Sequence, residues 1–246
     1  ATLLLTLLFA SPAAADGLTW EQVGDQLTIE AGLVGVDTDG NGVWVVAESG
    51  SIARSTDDGL SWTEVSTDDN DRWNVVQYLE DGIWVVAGNN GSVARSTDNG
   101  LTWTEVTTPV GASGMRFFGI EYANNTLVLV SGSGESFNGL RSTDRGASFS
   151  EMQLPSGTRQ WYGVGYGDGV WIATAFQDNG TQSTLMRSTD NGVTWTPVTP
   201  EINTSLIDAS YGDGVWIAVA WEEGDGGEAF RSVDGGETWD YVSGVN

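Results

Sequence analysis

The chain has 246 residues, of which 34 are acidic and 9 are basic, so its formal net charge is −25 at pH 7. It contains no Cys and no His, which excludes disulfides, thiolate nucleophiles, Ser-His-Asp hydrolases and the usual zinc sites. The negative charge repels phosphate backbones and anionic lipids, so we expect no nucleic acid or membrane partner. We also expect no cofactor and no bound metal.

Residues 1–15 (ATLLLTLLFASPAAA) are mostly apolar and end in small residues. This pattern is typical of the apolar and cleavage regions of a signal peptide, although no basic residue precedes the apolar run. The segment is too short to cross a membrane, so no membrane insertion is expected. The other interpretation is that residues 2–9 form a buried strand of a degenerate repeat unit.

Further along the chain, five segments share the pattern Ser-x-Asp-x-Gly-x-Ser/Thr-aromatic. They begin at Ser55, Ser96, Ser142, Ser188 and Ser232. Their aspartates lie 41 to 46 residues apart and are Asp57, Asp98, Asp144, Asp190 and Asp234. A sixth, incomplete copy stands at residues 16–20 (DGLTW). A repeat of this length with four short strands per unit predicts the blades of a β-propeller.

The fourth repeat shows the predicted strands most clearly, at residues 162–166, 170–174, 185–188 and 193–198. A Gly-Asp-Gly sequence joins the first two strands and predicts a hairpin. The shared segment joins the last two strands. There Gly192 would supply a left-handed backbone and Asp190 would accept amide hydrogen bonds. The repeated residues are therefore expected to serve folding and not chemistry.

The five segments resemble the Asp-box, or BNR-repeat, β-propeller family over residues 16–246. The resemblance implies an all-β propeller of about six four-stranded antiparallel blades, five of them clear and one a degenerate N-terminal blade. The family includes sialidases, xyloglucan-cleaving glycosidases, sortilin-type receptors and photosystem assembly factors of the Ycf48 type, so the fold does not fix the function. In this family the Asp-boxes lie on the face away from the ligand. We call the five segments the box turns.

Three arginines stand immediately before predicted first strands, each beside or near an aromatic residue. These candidate ligand-binding residues are Arg72, Trp73, Arg116, Phe117, Arg159 and Trp161. Guanidinium groups that converge on one rim of the channel would bind a carboxylate through paired hydrogen bonds. The alternative is that the arginines balance nearby carboxylates, such as those of Asp68, Asp69 and Asp71.

The arginine cluster is similar to the one with which sialidases hold a sugar acid. That resemblance implies a nucleophile pair, which Tyr162 or Tyr166 could form with Glu121. The sequence departs from the sialidase pattern, because it has no Arg-Ile-Pro segment and no clear acid/base Asp loop. No catalytic residue is therefore assigned.

Residues 37–48 match the EF-hand expression, from Asp37 to Glu48. An EF-hand is excluded because residues 43–47 are predicted to be a strand and no helices flank the loop. A single calcium ion held by the turn at Asp37 is left open.

These patterns favour a non-catalytic scaffold or recognition propeller, outside the cell or on a virion, that binds a protein or glycan. The expected binding face is the one opposite the box turns, because loops that vary on a rigid ring are where binding evolves. The alternatives are a sialidase-type glycoside hydrolase and an assembly factor of the Ycf48 kind.

Overall fold

The computed structural model describes residues 8–10, 20–22, 33–48, 50–65, 72–132, 138–154, 160–176, 184–198, 202, 204–220 and 228–242. The regular structure of these residues is β, apart from two 3-10 turns at Asn89–Gly91 and Val110–Ala112. No helix in the described part of the chain is long and apolar enough to span a membrane.

Five four-stranded sheets follow one another along the chain, after a short two-stranded sheet of β1 (Leu8–Ala10) and β2 (Trp20–Gln22). The first sheet contains β3 (Leu33–Thr38), β4 (Trp44–Glu48), β5 (Ile52–Ser55) and β6 (Thr63–Val65). The second contains β7 (Trp73–Tyr78), β8 (Trp84–Gly88), β9 (Val93–Ser96) and β10 (Thr104–Glu105). The third contains β11 (Phe117–Ala123), β12 (Thr126–Ser131), β13 (Gly139–Ser142) and β14 (Ser150–Met152).

The fourth sheet contains β15 (Gln160–Gly167), β16 (Val170–Phe176), β17 (Leu185–Ser188) and β18 (Thr196–Pro197). The fifth contains β19 (Leu206–Gly212), β20 (Val215–Ala220), β21 (Ala229–Ser232) and β22 (Asp240–Val242). In every sheet, strands consecutive in sequence pair antiparallel. The first strand of each sheet packs beside the first strand of the next, so these inner strands surround a common axis. This is the predicted β-propeller.

The core lies between neighbouring sheets. Side chains alternate along a strand, so the second strand of each sheet sends successive residues to the preceding and the following sheet. Between the second and third sheets, Val85 and Ala87 pack with Phe117 and Leu127. Equivalent clusters fill the other three interfaces from the first sheet to the fifth. Each interior sheet is thus covered on both faces.

The fifth sheet differs on its far face. Ile217 and Val219 are each 38% exposed, whereas Ile172, at the position of Ile217 in the fourth sheet, is fully buried. Among the described residues, β19 also does not pack against β3 as closely as the other inner strands pack against their neighbours. Among the described sheets, the arc from the first to the fifth therefore leaves one face of the fifth sheet uncovered. Within the N-terminal segment, the described residues form only the two-stranded antiparallel pair of β1 and β2.

Candidate functional site

The box turns are held by the same hydrogen bonds in all five sheets. The Ser hydroxyl donates to Oδ1 of the Asp at 2.7 or 2.8 Å, as Ser96 does to Asp98. The Ser oxygen accepts the amide of the Gly at 2.9 or 3.0 Å. The Asp also accepts the amide and hydroxyl of the Ser or Thr four residues on, which is Thr102 for Asp98.

These bonds determine the ionisation of the box aspartates. Burial works to raise the pKa of Asp98, but hydrogen bonds from Thr102 and Ser96 outweigh it and hold the pKa below its usual value. Hydrogen bonds from Ser61 and then Ser55 lower the pKa of Asp57 in the same way. The charged carboxylates are therefore used within their own turns.

Arginines of the third strands link each sheet to the next box turn. Four of them donate Nε–H to the carbonyl of the residue after the box Asp of the following sheet, at 2.7 or 2.8 Å. These bonds join Arg54 to Asn99, Arg95 to Arg145, Arg141 to Asn191 and Arg187 to Gly235. The fifth such arginine, Arg231, is exposed and has no partner among the described residues. We call the four bonded side chains the latch arginines.

The opposite ends of the sheets form a second face, where the inner strands begin and the second and third strands are connected. We call it the entry face. Arg72 and Arg116 lie there, and their carbonyls accept the amides of Asn89 and Gly132 at 2.9 Å each. Both side chains are exposed and have no partner within the described residues. The structure thus places two of the predicted arginines at equivalent positions of adjacent sheets, while Arg159 lies outside the described residues.

The aromatic residues predicted beside these arginines have a different environment. Trp73 is 2% exposed, and Phe117 and Trp161 are fully buried between sheets. A ring enclosed in the core cannot stack on a ligand. The expectation that these three rings contact a ligand is therefore corrected, because they are core residues.

A different set of residues surrounds the axis at the entry face. Every inner strand has a β-bulge near its start. The bulge adds one residue to the strand, and the side chain of this added residue is directed away from the interface between sheets. In the second to fifth sheets the bulge residues are Asn74, Phe118, Tyr162 and Ile207. No two are alike, whereas the box turns are nearly constant.

An axial cavity of about 400 Å³ lies between the inner strands of all five sheets. Phe118 and Tyr162 line it and stack with ring centroids 4.8 Å apart and planes 10° from parallel. Phe176, which is 36% exposed, lies 6.2 Å from the ring of Tyr162. The Tyr162 hydroxyl donates to Gln160 Oε1 at 3.0 Å. The cavity therefore has an aromatic wall close to the entry face.

Three carboxylates give the cavity region a negative charge. Asp37 and Asp208 line the cavity, and Glu121 occupies the register position of Asp37 in the third sheet. Burial, then repulsion from Asp37 and Asp208, raises the pKa of Glu121 to about 7. Burial also raises the pKa of Asp37 and that of Asp208. Of these two residues, Asp208 is still exposed to solvent. None of the described residues lining the cavity is basic.

The residues considered for a sialidase-like nucleophile pair do not form one. The Tyr162 hydroxyl bonds to Gln160, and the ring of Tyr166 lies 5.1 Å from that of Trp171. Among the described contacts, no hydrogen bond joins either tyrosine to Glu121. A tyrosine nucleophile requires a base within hydrogen-bond reach, and this arrangement lacks one.

The turn considered for calcium uses its carboxylates within the protein. Asp37 accepts the amides of Thr38 and Tyr78 at 2.9 and 2.6 Å. Asp39 accepts the amides of Asn41 and Val43 at 2.8 and 3.0 Å. In the described part of the chain, no group of three or more acidic residues is arranged to hold a metal ion.

No protein-family model and no curated protein matches the sequence. Solved structures match the fold. The GH74 xyloglucanase from Xanthomonas campestris superposes with a TM-score of 0.70 at 16% identity, over 91% of this chain and 40% of that one. YCF48 bound to a D1 peptide gives 0.66 at 19%, over 91% and 70%. Virginiamycin B lyase from Staphylococcus aureus gives 0.70 at 20%, over 88% and 72%.

All three of these similar proteins are β-propellers, and at such identities the likeness establishes the fold alone. The chain spans about two-fifths of the length of the xyloglucanase. The three proteins differ in activity, and one of them is bound to a peptide. The comparisons therefore leave the function to be argued from the site.

Proposed function

We propose that this protein is a non-catalytic scaffold or recognition propeller, exposed outside the cell or on a virion, that binds a protein or glycan through its entry face. The observation that carries the proposal is the contrast between the two faces. The box-turn side uses its repeated polar groups for turn closure and for latches between sheets. The entry face has a different bulge residue in each of the second to fifth sheets.

The charges of the entry face support this assignment. Arg72 and Arg116 are exposed there on a chain with a net charge of −25, and neither guanidinium is held by a described carboxylate. Two unpaired cations on adjacent sheets attract an anionic group, and salt screens that attraction. The sequence predicts that Arg159, which lies outside the described residues, belongs to the same group.

A polypeptide partner has a precedent in this fold, since one similar propeller is YCF48 bound to a D1 peptide. An assembly factor of the Ycf48 kind is the form of the proposal in which the partner is a membrane protein. A glycan partner would instead use the aromatic wall of Phe118, Tyr162 and Phe176, because sugar rings stack on aromatic side chains.

The test compares wild-type protein with an Arg72→Ala, Arg116→Ala, Arg159→Ala triple variant on a glycan array and a peptide array. Arg145→Ala serves as the box-face control, since this arginine pairs with Glu80. We expect binding that weakens with salt and is lost in the triple variant but kept in the control. Binding that survives the triple variant and fails in Arg145→Ala would place the site on the other face.

A glycoside hydrolase is the second candidate, and one observation favours it. Glu121, with its pKa raised to about 7, could donate a proton near neutral pH, and two further carboxylates lie near it. We expect no turnover of a fluorogenic sialoside or of polymeric β-glucans. Turnover that disappears in Glu121→Gln, while Asp213→Asn retains it, would replace the recognition proposal with this one.

A further inference from the structure

We propose that the axial cavity binds a guanidinium or ammonium group carried by a side chain of a partner polypeptide, between the aromatic wall and the carboxylates behind it. This inference rests on the proposed function, because it names the chemistry that the entry face recognises. It adds a cation site on the axis to the anion-attracting arginines at the rim.

The aromatic wall is the first observation behind this assignment. Phe118 and Tyr162 stack at the cavity, and Phe176 is tilted by 53° to Tyr162. A cation that contacts an aromatic ring within about 6 Å of its centroid is attracted by the ring quadrupole. The cavity volume of about 400 Å³ lies in the range of small-ligand sites and admits an arginine side chain.

The unpartnered carboxylate atoms are a separate observation. Asp208 Oδ1 accepts the amide of Ala209 at 2.9 Å, but no described donor reaches its Oδ2. Neither carboxylate oxygen of Glu121 has a hydrogen-bond donor among the described residues. The Asp37 carboxylate adds negative charge, although its oxygens already accept main-chain amides. A guanidinium, which has five N–H donors, would satisfy these acceptors and neutralise the repulsion between the carboxylates.

The same groups make the binding depend on pH. The groups around Glu121 at its level of the axial cavity are Asp37, Gln77, Gly165 and Ser210, and Asp208 lies two residues nearer the entry face. Only the carboxylates among them titrate below neutral pH. Ionised Glu121 attracts a cation, so affinity is expected to rise as pH increases through about 7, where Glu121 loses its proton.

The arginines of the entry face and the carboxylates of the axial cavity would then bind different groups of the same partner. An anionic group near Arg72 and Arg116 and a cationic side chain entering the cavity would be recognised together. Complementary charges of both signs give register and selectivity more than they give raw affinity. A chain segment that carries both an acidic residue and an arginine or lysine fits this arrangement.

The experiment is calorimetric titration of the full chain with acetyl-Gly-Gly-Arg-Gly-Gly-amide at low salt, at about pH 6 and about pH 8. The matched neutral probe replaces arginine by citrulline, and ethylguanidinium tests a free small cation. We expect the arginine peptide to bind more tightly at the higher pH, the citrulline peptide not to bind, and ethylguanidinium to bind more weakly than the peptide. Equal binding of both peptides, or no binding of the arginine peptide, would overturn the inference.

Variants test whether the arginine peptide binds in the cavity. Glu121→Gln and Tyr162→Leu should each weaken binding of the arginine peptide by about fivefold or more. Tyr162→Phe should retain binding because the aromatic ring remains. Asp213→Asn removes one carboxylate at an exposed hairpin and should change nothing. Equal losses in Glu121→Gln and Asp213→Asn would show only bulk charge attraction and would refute the site.

Failure of this inference is distinguishable from failure of the proposed function. Arrays that show entry-face binding sensitive to Arg72→Ala and Arg116→Ala, with no arginine-peptide signal, would leave the recognition proposal standing and remove the cation site. Ethylguanidinium that binds as tightly as the peptide would overturn the polypeptide source and identify a small organic cation as the ligand.

Discussion

Replacing Gly235 by Asn is predicted to stabilise the protein, because it gives Trp216 a missing hydrogen-bond acceptor. In the fourth sheet, Trp171 donates Nε1–H to Asn191 Oδ1 at 3.1 Å. In the fifth sheet, the position of Asn191 is held by Gly235, which has no side chain. The buried Nε1–H of Trp216 accordingly has no partner among the described residues.

The backbone already suits asparagine at this position. Gly235 has φ of 73° and Asn191 has φ of 62°, both in the left-handed region that asparagine tolerates. A Cβ on Gly235 would meet no atom closer than 3.8 Å, where it approaches Arg187 Nη2. The main-chain carbonyl that accepts the latch bond from Arg187 is also unchanged by the substitution.

The expected gain has two parts. Satisfying a buried donor is worth about 1 to 3 kcal/mol, and removing a glycine adds about 0.4 to 1 kcal/mol where the conformation is compatible. Ordering the new side chain and its left-handed backbone offset part of this, so the net gain should be about 1 to 2 kcal/mol. That corresponds to a rise in Tm of roughly 2 to 8 °C for a chain of this size.

Urea unfolding followed by Trp fluorescence measures the effect. Gly235→Ala is the matched control, since it removes the glycine but supplies no acceptor and should be neutral or destabilising. Asn191→Gly is the reverse change and should cost about 1 to 3 kcal/mol. The reasoning is refuted if Gly235→Asn is no more stable than Gly235→Ala.

Three further predictions concern the repeated and axial groups. Arg141→Ala should lower the free energy of unfolding by about 1.5 to 3 kcal/mol, because it removes the hydrogen bond from a charged donor to the carbonyl of Asn191. Arg231→Ala should cost under about 0.5 kcal/mol, and comparing the two variants by urea unfolding tests the contribution of that bond. Asp98→Ala should cost about 1 to 3 kcal/mol without changing entry-face binding, and equal stability with lost binding would contradict its structural role. Glu121→Gln should stabilise the protein increasingly as pH rises from about 5 to 8, by up to about 3 kcal/mol. The reason is that the pKa of Glu121 is higher in the folded than in the unfolded protein, so its ionisation opposes folding. A stability difference that does not change with pH would contradict this prediction.

The fold followed from the sequence because each repeat carries its own turn chemistry. The box Gly illustrates this. Gly146 has φ of 74°, and a Cβ there would lie 2.6 Å from Val85 Cγ2 of the preceding sheet. One residue type thus serves both the turn and the contact between sheets, so its recurrence indicates the architecture. The all-β prediction with four strands per unit is confirmed by the five sheets.

The predicted binding residues were partly misplaced for a physical reason. Alternation along a strand assigns every second side chain to one face, but the bulge adds a residue and shifts that assignment by one. Phe117 is therefore in the core, while Phe118 lines the cavity. A sequence signal for this shift exists in the pairs Phe118-Gly119 and Tyr162-Gly163.

The glycines after the bulge residues lie against the next inner strand. A Cβ on Gly163 would lie 2.7 Å from the carbonyl oxygen of Ile207, and one on Gly119 would lie 2.6 Å from that of Tyr162. An aromatic-Gly pair opening a first strand thus indicates a bulge residue at the axis. The latch partners could not be predicted in this way, because donor and acceptor lie 45 to 50 residues apart and meet only once two sheets pack together.

The uncovered side of the fifth sheet gives the last prediction, which concerns Ile172 and Ile217. Both stand at the same register position of a second strand, on the face directed away from the preceding sheet. Ile172 is fully buried, and a Cβ on Gly236 of the next box turn would lie 2.8 Å from its Cδ1. Ile217 is 38% exposed, and no described box turn lies against it.

Truncation of the two side chains should therefore have unequal costs. Ile172→Ala loses transfer free energy and leaves a cavity, for about 2 to 5 kcal/mol, whereas Ile217→Ala should cost under about 1.5 kcal/mol because its site is partly open to water. Urea unfolding of both variants measures the difference, and amide hydrogen exchange of β20 against β16 provides an independent measurement. Equal costs, together with equal protection of β20 and β16, would mean that a further layer of protein covers Ile217 in solution, and the fifth sheet would then be an interior blade of a closed ring.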